Sequence, residues 1–344
     1  MSRHVNIPVF IPHLGCPNQC VFCNQRTISG VDRFDPSTTR DIIETALKTI
    51  EDDCEVEIAY FGGSFTGIDR ELMLQLLEIA HDYIKSGRVK SIRCSTRPDY
   101  ISNEILDILS EYGVKTIELG LQSSSDKILL ASKRGHTFID EVRACKLIKS
   151  RGFDLIGQMM IGLPDSAPED EIETAQFIIN SGASGARIYP TVVFQDTELC
   201  AMCRDGRYKP ISLDDAISRS AAVYEMFLEK NIDVIRVGLC SSENLSSEST
   251  YYAGPNHSAL GEMVLNKVYL NKIITKASEI VLSCNDIIKI TVARGELSKA
   301  IGQKKRNKLL LKEMLNVKDI LFLDSVFLDP FEVRIEKAGE KECI

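Results

Sequence analysis

The feature that most constrains this 344-residue sequence is an alternation that runs from residue 4 to about residue 240. Six short runs rich in β-branched and aromatic residues, VNIPVFIP, EVEIAYFGG, VKSIRCST, VKTIELGLQ, FDLIGQMMIG and GARIYPTVV, each precede a segment with helical period. Helices are predicted over about 37–51, 69–86, 102–112, 137–150, 168–181 and 212–230. Asp69, Ser102 and Ser212 are placed to cap their N-termini, and Gly113 and Gly152 to stop two of their C-termini. Apolar strands alternating with helices predict a parallel sheet covered by helices. No dinucleotide-type glycine fingerprint interrupts the series, so the predicted class is α/β, a partial (β/α)6 TIM-like barrel. In such barrels chemistry collects at the C-terminal ends of the strands. The cysteine loop, FGGSFTG, CSTRPDY, ELGLQS and IGLPDS all fall there.

The pattern changes near residue 240, where CSSENLSSESTYYAGPN reads as a polar linker or surface loop. Two domains are therefore expected, a barrel over residues 1–240 and a small α+β domain over 241–344. The N-terminal run MSRHVNIPVFIPHLG reads as a strand and lacks a signal-peptide cleavage site. No stretch approaches the roughly 20 apolar residues of a bilayer span. A cytoplasmic protein without a membrane partner is expected. Its 11 cysteines, an odd number, then favour metal binding over a disulfide framework. A net charge of −8 argues against a uniformly nucleic-acid-coating surface but allows a local basic patch.

Three of the cysteines, Cys16, Cys20 and Cys23, stand together in GCPNQCVFCNQ. Thiolates suit zinc, copper(I) or iron–sulfur clusters. Closed zinc sites take four protein ligands, and His13 is the candidate for the fourth. The competing reading is an iron–sulfur cluster with one open position.

The spacing C-x3-C-x2-C, with Phe22 before the last cysteine and a position after the first strand of a βα barrel, resembles the radical S-adenosylmethionine (SAM) superfamily. The resemblance implies a [4Fe–4S] cluster held by Cys16, Cys20 and Cys23, its fourth iron left for the amino and carboxylate groups of SAM. It also implies an external electron donor and reductive cleavage of SAM to methionine and a 5′-deoxyadenosyl radical. Gly62 and Gly63 in YFGGSF match the motif that receives the SAM amino group, with Ser64 where many members have Glu. Arg97 in STRPDY is a candidate for the SAM carboxylate, and Glu118 and Gln122, expected at the fourth strand's end, for the ribose or methionine. MMIGLP is similar to the motif that packs against adenine.

The order STRPDYI, ELGLQS, KRGHT, QMMIGLP, ARIYPTVV…TEL and GRYKP further resembles the radical SAM domain of Elongator's catalytic subunit and its bacterial relatives, over roughly residues 4–240. That resemblance implies a tRNA or other RNA substrate. The acetyl-CoA-dependent step is not carried over, because the glycine-rich acetyl-CoA loop is missing after residue 240. An oxygen-independent coproporphyrinogen oxidase, with the same cysteine spacing, is the alternative enzyme. An RNA-binding module with a zinc knuckle is the non-enzymatic alternative.

The C-terminal segment reads strand, helix, IGQKKRN turn, helix, strand, and resembles a KH domain whose GxxG loop clamps a nucleic-acid backbone. Gly302 matches the first glycine and Lys305 replaces the second. Lys304, Lys305 and Arg306 are the candidate RNA contacts within a run, Lys299 to Lys312, that contains six cations and no acid. The pair Cys200 and Cys203 is discounted as a second metal site for want of partner ligands, and His257 is read as a loop-capping residue. His136 is expected to order the loop near the pocket and Tyr189 to line it. No oligomeric state follows from the sequence.

Overall fold

The structure, a computed structural model, describes residues 3–11, 14–16, 20–24, 34–239 and 250–338. It divides into two compact units. The first is Met1–Ala216 with Met226–Asn256, and the second is Ile217–Glu225 with His257–Ile344.

The first unit is built on a parallel sheet of seven strands, curled into a half-barrel. They are β1 (His4–Phe10), β2 (Glu55–Phe61), β3 (Ser91–Thr96), β4 (Val114–Gln122), β5 (Asp154–Ile161), β6 (Gly185–Pro190) and β8 (Asp233–Val237), in the order β1-β2-β3-β4-β5-β6-β8. The six expected strands and six expected helices are present. The seventh strand, β8, is an addition to them. It is a short edge strand on which no residue is fully buried, so DVIRV carries no continuous apolar run. Two short helices, Asp126–Ala131 and Glu198–Arg204, are further additions. Part of the expected linker is also ordered. Tyr251–Ala253 forms β9, antiparallel to β7 (Val193–Phe194).

Local chemistry explains where the helices begin. Asp69, Ser102 and Ser212 accept hydrogen bonds from the backbone N–H groups of Leu72, Ile105 and Asp215. Gly113 and Gly152 take φ of 83° and 77°, which glycine reaches without a Cβ penalty. The helix Arg70–Lys85 turns Met73, Leu76, Leu77 and Ala80 inward, all essentially inaccessible to water. Burying each of the larger side chains contributes about 1.5–3 kcal/mol. The Tyr60 phenol donates to Leu76 O in that helix. Tyr60 therefore faces the helical layer, and Glu57, Ala59 and Phe61 face the opposite, concave side.

The second unit has its own core, which includes Tyr269, Ile273, Ile288, Ile290, Val292, Leu311 and Ile320. Its sheet runs β11 (Asp319–Ser325), β10 (Ile287–Ala293), β12 (Val333–Lys337), with β10 parallel to β11 and antiparallel to β12. Between β10 and β11 lie the helices Leu297–Ile301 and Arg306–Met314. Strand, helix, turn, helix and strand thus follow in the order read from sequence. Among the described residues, no helix is long and apolar enough to cross a membrane.

Candidate active site

The parallel strands bring the predicted motifs to one edge of the sheet. The loop after β1 lies against the turn after β2. Ser64 N–H donates to Leu14 O at 3.3 Å, and Cys16 Sγ is 3.5 Å from Ser64 Oγ. The approach is close enough to require glycine. A Cβ on Gly63 would sit 2.4 Å from Leu14 O, and one on Gly15 would sit 2.2 Å from Ser64 O. Gly62 has φ of 101°. This glycine pair therefore has a packing role as well as any role in ligand approach.

Further along the loop, Val21 N–H donates to Ser132 O, and Val21 O accepts from Leu199 N–H. Cys20 is buried, Cys16 and Cys23 are half-buried, and Cys23 N–H donates to Cys20 O. Among the described residues, the trio of possible ligand atoms gathered within 4.8 Å of one another is Glu51, Asp53 and Cys54, and the thiols of Cys16, Cys20 and Cys23 do not all meet that limit. A single tetrahedral zinc, with Zn–S bonds of ~2.3 Å, would hold its thiolates closer than that. His13, the candidate fourth zinc ligand, lies outside the described residues.

Two guanidinium groups stand behind the loop. Arg97, at the end of β3, is buried and forked onto Asp99, with Nε to Oδ1 at 3.0 Å and Nη2 to Oδ2 at 2.9 Å. Nη2 also donates to Arg134 O. Burial works against the charge of Arg97, but Asp99, followed by Cys20 and Cys16, more than compensates and raises its pKa above the usual value. Arg134 is buried as well, and its Nη1 donates to Cys20 Sγ at 3.1 Å. The KRGHT motif does not single out this arginine. Nothing in the linear spacing places residue 134 beside residue 20.

Gln122 closes β4 with φ of 76°, next to a register shift between Gly120 and Gln122 against β5. A left-handed non-glycine residue costs on the order of 1–3 kcal/mol, and bulges of this kind cluster beside active sites. Among the described residues, Arg97 Nη1, Gln122 Oε1 and Arg134 Nε are buried without a hydrogen-bond partner. Each such group costs ~1–3 kcal/mol unless something satisfies it. Three of them at one strand edge, beside three thiols, fit a polar ligand and a thiolate-bound cluster.

Glu118 requires a correction. The sequence reading puts it at the end of β4, but it lies four residues before Gln122 in mid-strand, and its oxygens are filled. They accept from Arg93 Nη1 at 3.0 Å, Arg187 Nε and Nη2 at 2.8 and 2.9 Å, and Gln158 Nε2 at 3.0 Å. Arg93 also donates to Glu57, which accepts from Ser91 and is paired with His4. The result is a buried ladder of alternating charge, Glu57–Arg93–Glu118–Arg187, across the concave face. Burial would raise the pKa of Glu57, but hydrogen bonds from Ser91 and the Arg93 charge hold it below the usual range. Burial disfavours the charge on Arg187, and Tyr189 and Glu118 restore it. The ladder is invisible in sequence because its members come from four strands.

His136 supports the other side of Arg97. It is held neutral, its pKa pushed down to about 3 by burial and then by the charges of Arg134 and Arg97. Burial also raises Glu141, whose Oε1 lies 3.0 Å from His136 Nε2, while His136 Nδ1 lies 3.8 Å from Asp99 Oδ1.

In the second unit, Lys304, Lys305 and Arg306 are exposed on the turn between the two short helices. Lys304 and Lys305 have φ of 51° and 62°, so Lys305 adopts the left-handed backbone that a glycine would supply there. The surrounding run is less positive than its sequence suggests. Lys299 pairs with Glu296 and Lys308 with Asp319, acids from outside the run. His257 Nδ1 accepts from Ala259 N–H, as a loop cap does. Cys200 packs with Val21, Leu199 and Tyr208 in an apolar cluster.

The chain matches the Radical SAM superfamily over residues 10–178 and the Radical_SAM C-terminal domain over residues 183–269. A tRNA uridine(34) acetyltransferase of Methanocaldococcus infernus is 29% identical over 205 residues, which cover 54% of this chain and 38% of that protein. The chain therefore spans about two fifths of that relative's length. An uncharacterized protein of Methanocaldococcus jannaschii is 30% identical over 225 residues, covering 62% of this chain and 68% of that one. Among solved structures, archaeal Methanocaldococcus infernus Elp3 with an N-terminal deletion shares the fold, with a TM-score of 0.61 at 23% identity over 79% of this chain and 64% of the other. With the cysteine loop, the glycine turn and the buried arginines gathered at one strand edge, these matches lead to one conclusion: the chain belongs to the radical SAM superfamily.

Proposed function

We propose that Cys16, Cys20 and Cys23 hold a [4Fe–4S] cluster, that SAM binds beside it, and that the enzyme acts on an RNA, specifically a tRNA. The observation that carries this reading is Arg134 donating to Cys20 Sγ in the three-cysteine loop while joined to Arg97 and the end of β4, where Arg97 and Gln122 keep buried, unsatisfied groups among the described residues. When bound, the cluster supplies one electron for cleavage of SAM to methionine and a 5′-deoxyadenosyl radical. The chain's own residues bind and orient. Gly62 and Gly63 offer backbone without side chains, Arg97 Nη1 offers a donor to a carboxylate, and Gln122 Oε1 accepts from a hydroxyl or ammonium group. Asp99 fixes the Arg97 fork, so that Nη1 points in a set direction at little entropic cost. Glu118, with its oxygens filled, belongs to the frame beneath these groups.

The tRNA part rests on the relative named as a tRNA uridine(34) acetyltransferase and on the exposed cations of the second unit. Lys304, Lys305 and Arg306 would contact phosphates, in the manner of a KH-like loop.

Anaerobic reconstitution tests the first part. About four irons per chain and dithionite-dependent release of 5′-deoxyadenosine are expected, both lost when Cys16, Cys20 or Cys23 is changed to Ala. Colourless, zinc-loaded protein that cannot cleave SAM would refute it. For the second part, the triple substitution Lys304→Glu, Lys305→Glu, Arg306→Glu should abolish tRNA binding in a gel-shift assay while leaving SAM cleavage intact. Unchanged binding refutes the RNA contact.

A further inference from the structure

Arg134 has a backbone position built for it and a side chain aimed at a cysteine. It sits between Lys133 and Gly135, whose φ values are 52° and 77°, in a turn closed by Arg134 N–H donating to Leu129 O at 2.9 Å. Its Nη2 donates to Gly120 O at 2.6 Å, beside the β4 bulge, and its carbonyl accepts from Arg97 Nη2. The remaining arm, Nη1, donates to Cys20 Sγ at 3.1 Å. One buried residue thus links the cysteine loop and the end of β4 through its side chain, and Arg97 through its carbonyl.

From this geometry we infer that Arg134 is a positioning residue for the cluster. Through the Cys20 sulfur it sets the cluster's reduction potential. The inference rests on the cluster reading above. A hydrogen bond donated to a ligating sulfur draws electron density from it and stabilises the reduced form, so the donor raises the potential. A cationic donor does this more strongly than a neutral one. The bond is formed by the fold itself, between residues 114 positions apart.

The test is an EPR-monitored redox titration of anaerobically reconstituted protein in the absence of SAM, on wild type, Arg134→Met and Arg134→Lys. Iron and sulfide content and the far-ultraviolet circular dichroism spectrum are measured on the same samples. Arg134→Met is expected to load iron as wild type does and to titrate at a more negative potential, with Arg134→Lys in between. Either variant loading fully with the wild-type potential overturns the inference. Loss of iron from both variants together with an altered dichroism spectrum assigns Arg134 to the fold alone, which also overturns it. If wild type takes up no iron, the cluster reading itself has failed, an outcome distinct from both.

Discussion

Two polar regions of the half-barrel, both buried, behave in opposite ways. In the ladder Glu57–Arg93–Glu118–Arg187, each carboxylate receives forked or multiple donors, and Glu118 alone accepts four hydrogen bonds. At the strand edge above it, Arg97, Gln122 and Arg134 each keep a buried polar atom without a partner, and Gln122 carries a left-handed backbone besides. Both regions hold charged groups out of water at a cost of several kcal/mol per ion before compensation. The ladder recovers that cost with every carboxylate oxygen paired, whereas at the strand edge Asp99 offsets the charge of Arg97 and Nη1 stays open. Satisfaction therefore distinguishes these two regions where burial and charge do not: the ladder's carboxylates have their partners in place, and the strand edge keeps open groups beside a cysteine loop, where a polar ligand fits.

This contrast can be broken most severely at Glu118. Glu118→Leu removes the carboxylate that Arg187 pairs with and one of the two that hold Arg93, and should destabilise the first unit by roughly 3–5 kcal/mol in urea unfolding. A loss below about 1 kcal/mol would show that the ladder is ornamental. Arg97→Gln should show the reverse profile. SAM cleavage is expected to fall roughly 10- to 100-fold, the equivalent of one charge-assisted hydrogen bond, while iron content barely moves and the unfolding midpoint falls less than in Glu118→Leu. Equal losses of stability and rate would merge the two regions into one. The third test concerns pH. His136 is held neutral in the folded state with its pKa at about 3, but titrates near its ordinary value once unfolded. Its folded pKa is depressed, so protons favour the unfolded chain, and this residue's contribution to stability is lost as pH falls from about 6.5 toward 3. His136→Gln should flatten that acid limb in denaturation midpoints measured across the interval. An unchanged limb would place the acid sensitivity elsewhere.

Much of the frame is legible in the chain because its signals are local. Apolar runs mark the six strands, and Asp69, Ser102 and Ser212 mark helix starts through hydrogen bonds that span three residues. The strand β8 escapes because an exposed edge strand needs no apolar face. Glu118 is misplaced because the sequence locates strand ends only to within a few residues, and a shift of four residues along a strand is about 13 Å. The basic run reads as fully positive because Glu296 and Asp319 reach Lys299 and Lys308 only after folding.

By itself, the sequence determined that strands would alternate with helices and that three cysteines would share one loop. Periodicity and spacing are properties of neighbours along the chain. The tertiary structure alone decided that Arg134 meets Cys20, that Arg97 reaches the Arg134 carbonyl, and that Glu118 is enclosed by two arginines from other strands. Those pairings depend on sheet register and strand order, which bring together residues separated by up to 114 positions, and no local pattern encodes them.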